Sequence, residues 1–335
     1  MTVRILAGDA RSVLASLPAQ SFQCCVTSPP YFGLRDYGVD GQIGLEKTPD
    51  EYVSELVAVF REVRRVLRDD GVLWLNLGDS YNAAGRTGCG ARIGYKQGTN
   101  RASASGGDAC RPSVASLKEK DLIGIPWLVA FALRADGWYL RSDVIWAKPN
   151  PMPESVTDRP TKAHEHVFLL SKGPRYFYDA EAIAETAKYP VGDGRKPSGV
   201  YSEGSGRSDG GLHRSGGFVT GATRNARSVW SITTKPFRGA HFATMPPDLV
   251  EKCVKTGSAV GDSVIDPFGG AGTTGLVAGR LGRNAVLAEL NPAYAEITKA
   301  RLTKEGAAWT GDGVAAALAR NRQARESLSA AMGDL

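Results

Sequence analysis

Two short segments carry side chains whose types and spacing could do chemistry. Residues 27–31 read Thr27, Ser28, Pro29, Pro30, Tyr31. Consecutive prolines remove two backbone donors and fix φ, leaving a stiff turn that offers carbonyl oxygens and a hydroxyl. Such a turn suits an exocyclic amino group. Ser28 hydroxyl and Pro29 carbonyl can accept its two N–H bonds, and Tyr31 can stack on the ring that carries it. Taken alone, the tetrapeptide also reads as an ordinary Pro-Pro loop. The second segment runs Asp266, Pro267, Phe268, Gly269, Gly270, Ala271, Gly272, Thr273, Thr274, Gly275, with Glu289 nineteen residues after Gly270. Gly270, Gly272 and Gly275 fit G-x-G-x-x-G, in which glycines allow a tight turn and close ligand approach while a later acid accepts ribose hydroxyls.

The elements needed to position these residues follow from periodicity. Residues 22–26 read as a short buried strand ending at the tetrapeptide. A helix is expected from about Asp50, where Tyr52, Leu56, Val59, Val63 and Val66 repeat at three- and four-residue spacing. Pro49 and the run Asp69, Asp70, Gly71 are its boundary signals. Strands are expected over 72–77, 138–146, 263–266 and 285–289, and helices over 126–134, 248–255, 272–281 and 292–303. Strands alternating with helices predict an α/β fold with a largely parallel, doubly wound sheet. Trp127, Trp138 and Trp146 read as core aromatics. The alternation His164, Glu165, His166 puts both histidines on one strand face without an obvious third metal ligand, so no metal is expected.

Position separates two cofactors. Only 46 residues follow Glu289, too few to finish a nicotinamide-binding domain and add a substrate domain. The missing strands must come from the N-terminal half. Asp266 also places a carboxylate at the strand edge, which suits the ammonium of S-adenosylmethionine better than a pyrophosphate. A nicotinamide-dependent oxidoreductase therefore ranks behind an S-adenosylmethionine enzyme.

The 335 residues carry 41 Lys+Arg against 35 Asp+Glu, a net charge of +6, with 42% hydrophobic and 23% charged residues. These proportions are those of a globular protein, not a disordered one. The charge is unevenly placed: residues 82–116 hold net +4 and 183–239 hold net +5, which leaves −3 on the rest. Both stretches are Gly-rich and polar, as solvated loops or as arms that neutralise phosphates. The first twelve residues lack an apolar signal core and no run of eighteen apolar residues occurs, so no membrane association is expected and a cytoplasmic location fits. The five cysteines, at 24, 25, 89, 110 and 253, lack metal-ligand spacing.

The tetrapeptide preceding the cofactor segment resembles the β class of amino-methylating DNA methyltransferases, over most of the chain. Gly8 with Asp9, residues 71–79, residues 141–146 with Lys148, and residues 241–246 look like further blocks of that family. The resemblance implies a seven-stranded, Rossmann-like doubly wound sheet with an inserted target-recognition region. It divides the chain into 1–175 (catalytic half, carrying the basic insertion 82–116), 176–240 (target recognition), 241–310 (cofactor half) and a helical tail, 311–335. It implies catalysis by Ser28, Pro29, Pro30 and Tyr31. Asp9, Thr27, His241, Asp266, Phe268, Gly270, Gly272, Thr273, Thr274 and Glu289 would hold S-adenosylmethionine, with the N–H groups of Thr273 and Thr274 at a helix start offered to its carboxylate. Arg224, Arg227, Lys235 and Arg238 are the candidates for contact with double-stranded DNA. A cognate restriction endonuclease and a homodimer are compatible with this reading.

The atom methylated can be narrowed. Cytosine C5 chemistry needs a cysteine nucleophile, which in that family follows a proline, and no Pro-Cys pair occurs here. For an exocyclic amine, hydrogen bonds to Ser28 and the Pro29 carbonyl draw nitrogen toward sp³ geometry and aim its lone pair, so that positioning does most of the work. The base must first leave the duplex stack. A leading serine is associated with cytosine N4, so N4-cytosine is the first expectation and N6-adenine the alternative. A non-catalytic DNA-binding module, and an RNA or protein substrate, rank below both.

Overall fold

A computed structural model describes residues 1–82, 114–187, 223–235 and 244–312. Arg238, His241 and nearly all of the 82–116 stretch lie outside the described residues. Two compact units are present: Met1–Asp179 with Ser228–Leu335, and Ala180–Arg227.

The first unit is built on β1 (Val3–Ala7), α1 (Ala10–Ala15), β2 (Phe22–Thr27), α2 (Pro49–Val66), β3 (Leu67–Leu77), α3 (Ile125–Ala135), β4 (Tyr139–Ala147) and β5 (His164–Ser171). The second unit contains β6 (Glu185–Thr186) and β7 (Thr223–Arg224), an antiparallel pair. The chain returns to the first unit with β8 (Val229–Ser231), α4 (Pro247–Gly257), β9 (Ser263–Asp266), α5 (Thr273–Arg280), β10 (Asn284–Glu289), α6 (Pro292–Lys304) and β11 (Trp309–Asp312).

Among the described residues the sheet has nine strands, in the order β11-β1-β10-β9-β2-β3-β5-β4-β8. The interior seven match the expected number, and the short strands β11 and β8 extend the two edges. All neighbours are parallel except β5, which runs antiparallel to both β3 and β4. The carboxyl ends of β2, β3, β4, β9 and β10 therefore share one edge with the amino end of β5. Parallel sheets bind ligands at that edge.

Local sequence explains the supports. Every residue of β2 is buried, as suits a central strand covered on both faces; Cys24 and Cys25 are small enough to fit there. α2 opens with a capping box between Thr48 and Glu51 and Pro49 in its first turn, and it buries Tyr52, Leu56, Val59, Phe60, Val63 and Val66. α2 ends at Val66, just before the boundary signal Asp69, Asp70, Gly71, and that run lies inside β3, which begins at Leu67 and not at the expected residue 72. Phe22 pairs with Leu67 and Cys24 with Val72, so residues 68–71 form a bulge inside β3. Trp138 and Trp146 are core residues at 2% and 4% exposure, whereas Trp127 is 38% exposed. That expectation fails only in part: the ring of Trp127 packs against Phe131 and against His166 and Phe168 of β5, but one side of it stays open.

Candidate active site

The Ser28–Tyr31 turn leaves the end of β2 and is held by a buried polar cluster. Tyr31 hydroxyl donates to Glu165 Oε2 at 2.7 Å and Ser28 hydroxyl to Tyr31 at 3.3 Å. Asn76 Nδ2, from β3, lies 2.9 Å from Tyr31 hydroxyl, 2.9 Å from Glu165 Oε2 and 3.4 Å from Ser28 Oγ. The ammonium of Lys148, just past β4, pairs with Glu165 Oε1 and sits 4.4 Å from the centre of the Trp146 ring. Burial alone would raise the Glu165 carboxyl, but Lys148 and the hydrogen bonds from Lys148, Tyr31 and Asn76 outweigh it and hold the group below its ordinary range. Burial, then the Glu165 charge, pushes the Tyr31 phenol well above its ordinary value. Pro30 carbonyl accepts from Tyr52 hydroxyl at 2.9 Å, while the Pro29 carbonyl accepts no hydrogen bond among the described residues.

The ring of Tyr31 occupies space that only glycine can leave open. A Cβ on Gly78, at the end of β3, would stand 2.5 Å from Tyr31 Cε2. Asn76 and Gly78 are legible only as members of the block 71–79, and Glu165 only as the middle of the His164–His166 run. Lys148 is legible only as part of a longer block.

The glycine segment lies two strands over from β3, after β9. Gly270 and Gly272 have φ of +50° and +74°, the left-handed region that favours glycine. A Cβ on Gly272 would stand 2.4 Å from Thr298 Cγ2, so this glycine lets α6 lie against the turn. α6 also serves the turn's carbonyls: Thr298 donates to Gly270 oxygen at 2.8 Å and Arg301 to Ala271 oxygen at 2.9 Å. Gly275 allows α5 to press on the sheet, where a Cβ would meet Leu287 and Val3 at 2.8 Å.

Asp266 is buried and accepts from Thr27 Oγ1 at 2.6 Å, Thr274 Oγ1 at 2.7 Å and Phe268 N at 3.0 Å. Burial raises its carboxyl in spite of these donors. Thr27 is the residue before Ser28, so a single hydrogen bond ties the tetrapeptide to a turn 239 residues away. Phe268 is partly buried against the main core. Thr273 hydroxyl accepts from Arg301 at 2.9 Å, and no side chain caps the first turn of α5. Glu289 accepts from Gly270 N at 2.7 Å and Asn291 N at 2.8 Å; burial pushes its carboxyl up to about 7. Asp9 caps α1 and pairs with Arg11, one residue past Gly8, whose N–H donates to Glu289 oxygen at 2.9 Å.

Each described candidate for DNA contact is ion-paired. In the second unit, Arg224 and Arg227 both pair with Glu185, at 3.1 and 2.9 Å. In the first, Lys235 pairs with Asp248 at 2.8 Å. On β5, His164 and His166 do share a face, with ring centres 5.5 Å apart, and His166 Nδ1 lies 3.0 Å from Asp143.

A sequence model described as DNA methylase matches residues 22–300. The chain belongs to this DNA methylase family. Its relatives include the Type II methyltransferase M.SmaI of Serratia marcescens, 45% identical over 90% of this chain and 91% of the relative. The Type II methyltransferase M.Cfr9I of Citrobacter freundii is 48% identical, over 89% of this chain and 87% of the relative. Among solved structures, a putative DNA modification methylase from Thermus thermophilus, complexed with S-adenosyl-L-methionine, is 26% identical with a TM-score of 0.59, covering 93% of this chain and 99% of that one. The cytosine-N4-specific PvuII DNA methyltransferase shares the fold at 20% identity and a TM-score of 0.59, covering 90% of this chain and 86% of that one. For the family member described here, the matched span takes in both the tetrapeptide and the glycine turn.

Proposed function

We propose that this DNA methyltransferase is site-specific and methylates the exocyclic N4 of cytosine, with S-adenosylmethionine as methyl donor. The observation that carries the reading is the joining of the two segments: Thr27 holds the cofactor-type turn through Asp266 while the next residue, Ser28, begins the amine-accepting turn. The leading serine is what favours cytosine.

The turn fits the cofactor. Glu289 is a partly buried acceptor held by backbone N–H groups, and its carboxyl is raised to about 7; a ribose diol would supply further donors. The uncapped start of α5 offers N–H groups to a carboxylate, and Asp266 and Phe268 line the methionine end. S-adenosylmethionine would supply an electrophilic methyl on a sulfonium. The remaining work falls to the protein. Ser28 Oγ and the Pro29 carbonyl accept the two N–H bonds of a flipped base, aim its nitrogen lone pair, and hold it for direct attack. Pro30 keeps the turn rigid through its bond from Tyr52.

A thiol route is disfavoured by the same geometry. Cys24, Cys25 and Cys253 are buried, and burial raises all three thiols far above their ordinary value, whereas the thiolate is the nucleophile. Arg224, Arg227 and Lys235 are offered to DNA phosphates, since exposed ion pairs of this kind cost little to exchange.

Duplex DNA incubated with the protein and isotopically labelled S-adenosylmethionine, then hydrolysed to nucleosides for mass spectrometry, should yield labelled N4-methylcytosine. Labelled N6-methyladenine alone would overturn the choice of base and keep the amine chemistry; 5-methylcytosine would overturn both.

A further inference from the structure

The cluster behind Ser28 has a direction. A carboxylate has no proton to give, so Glu165 can only accept. Tyr31 spends its one proton on Glu165 at 2.7 Å, and its oxygen is left to accept from Ser28 at 3.3 Å and Asn76 at 2.9 Å. Ser28 spends its one proton on Tyr31, and the two protons of Asn76 go to Tyr31 and Glu165, both at 2.9 Å. What remains on Ser28 is a lone pair. We infer that Glu165 is a positioning residue that fixes the direction of this hydrogen-bond chain, so that Ser28 presents a lone pair, not a proton, to the target amine.

The alternative shows why direction matters. A neutral acid or amide at 165 brings protons of its own and can donate to Tyr31. Tyr31 can then turn its proton to Ser28, and Ser28 its proton outward. An O–H would face the N–H of an amino group, two donors with no acceptor between them. The reversed chain suits a base that carries a carbonyl, such as thymine or guanine. Glu165 thus selects for an amine through Tyr31 and Ser28 without touching the base.

The surroundings keep Glu165 in the accepting form. Lys148 approaches from the end of β4, and Lys162, which donates to the Asp79 carbonyl at 2.8 Å, approaches from the segment before β5. His164 is the adjacent titratable group on β5.

This inference rests on the amine-transfer reading, and one set of variants separates the two. Glu165→Gln, Lys148→Met, the double variant of both, Ser28→Ala, and Glu165→Gln with Ser28→Ala are compared as full chains. For each, the single-turnover rate at saturating DNA and S-adenosylmethionine, the dissociation constant for S-adenosylmethionine and the melting temperature are measured. Glu165→Gln should lower the rate on the order of 100-fold, the usual scale for a misplaced reacting group, with cofactor affinity unchanged. The Glu165→Gln/Lys148→Met pair removes the unbalanced buried charge and should recover the melting temperature without recovering the rate. Adding Glu165→Gln to Ser28→Ala should cost nothing further, because the one acts through the other. Recovery of the rate together with the melting temperature would make the ion pair structural only and overturn the inference, as would losses that multiply. An active Ser28→Ala enzyme would instead overturn the amine-transfer reading itself.

Discussion

Replacing Gly78 by alanine puts one methyl group where the ring of Tyr31 now lies. The added Cβ would be 2.5 Å from Tyr31 Cε2 and 3.0 Å from Cδ2, whereas carbon atoms rest at about 3.5–4.0 Å. The ring must therefore retreat by about 1 Å, the gap between those two separations. Backbone strain does not contribute, because Gly78 is not among the residues of positive φ. A shift of that size takes the Tyr31 hydroxyl from 2.7 Å and 2.9 Å of its partners to distances near about 3.6 Å, at which no hydrogen bond remains. Overpacking costs about 1–3 kcal/mol, and a lost hydrogen bond to a charged group about 1.5–3 kcal/mol. Relaxation of the turn lowers the sum, so about 2–4 kcal/mol of stability should go, on the scale of those two effects. Ser28 loses its fixed orientation at the same time, and the methyl-transfer rate should fall roughly 100-fold. Cofactor affinity should stay within about threefold, since the glycine turn is untouched. Thermal unfolding, calorimetry with S-adenosylmethionine and single-turnover transfer to duplex DNA give the three numbers. Wild-type rate and melting temperature in Gly78→Ala would refute the reasoning that the ring is wedged in place.

The cofactor turn and the buried thiols set the remaining expectations. Gly272→Ala meets both a left-handed backbone, worth about 1–2 kcal/mol, and Thr298 at 2.4 Å; cofactor affinity and melting temperature should fall, and adding Thr298→Ala should recover only part of each. Cofactor affinity should rise with pH up to about 7 and then level off, because the ribose hydroxyls donate to the ionised Glu289, whose carboxyl in the ligand-free protein is raised to about 7; Glu289→Gln should flatten the titration. The sign for folding is opposite: a carboxyl raised above its unfolded value contributes stability fully below its unfolded range, and that contribution is lost as pH rises through about 7. Thr27→Val removes the 2.6 Å donor to buried Asp266 and should cost about 1–3 kcal/mol of stability, with weaker cofactor binding by calorimetry. Cys25→Ala should keep methyl transfer within severalfold in the same single-turnover assay, and its complete loss would point to a thiol nucleophile.

Much of the site is legible because its signals are local. The glycines, Glu289 and the Pro-Pro turn sit within short spans at strand ends, and most strands are readable from apolar runs. That Glu165, Asn76 and Gly78 come together is illegible for a topological reason. Nothing near Glu165 in the sequence says that β5 runs antiparallel and brings its first residues to the same edge as the ends of β3 and β4. The pairing of Trp146 with Glu165 and of Leu77 with His166 makes that cluster, and pairing is a long-range property. The bulge at residues 68–71 imitates a turn because Asp and Gly serve both. Trp127 misleads because α3 also exposes large apolar side chains, Leu128 and Phe131 beside it. β8, with three residues, is too short to show alternation.

The placement of β1 has a consequence for how the molecule is made. β1 pairs with β10 on one side and β11 on the other, so residues 3–7 meet both partner strands only beyond residue 284. Its contacts span nearly the whole sequence, which raises contact order and delays folding of the cofactor edge until the C-terminal strands exist. A nascent chain can bury α2 against β3 while its glycine turn has not yet been translated. A lesion in residues 3–7 would unseat β10 and β11 together.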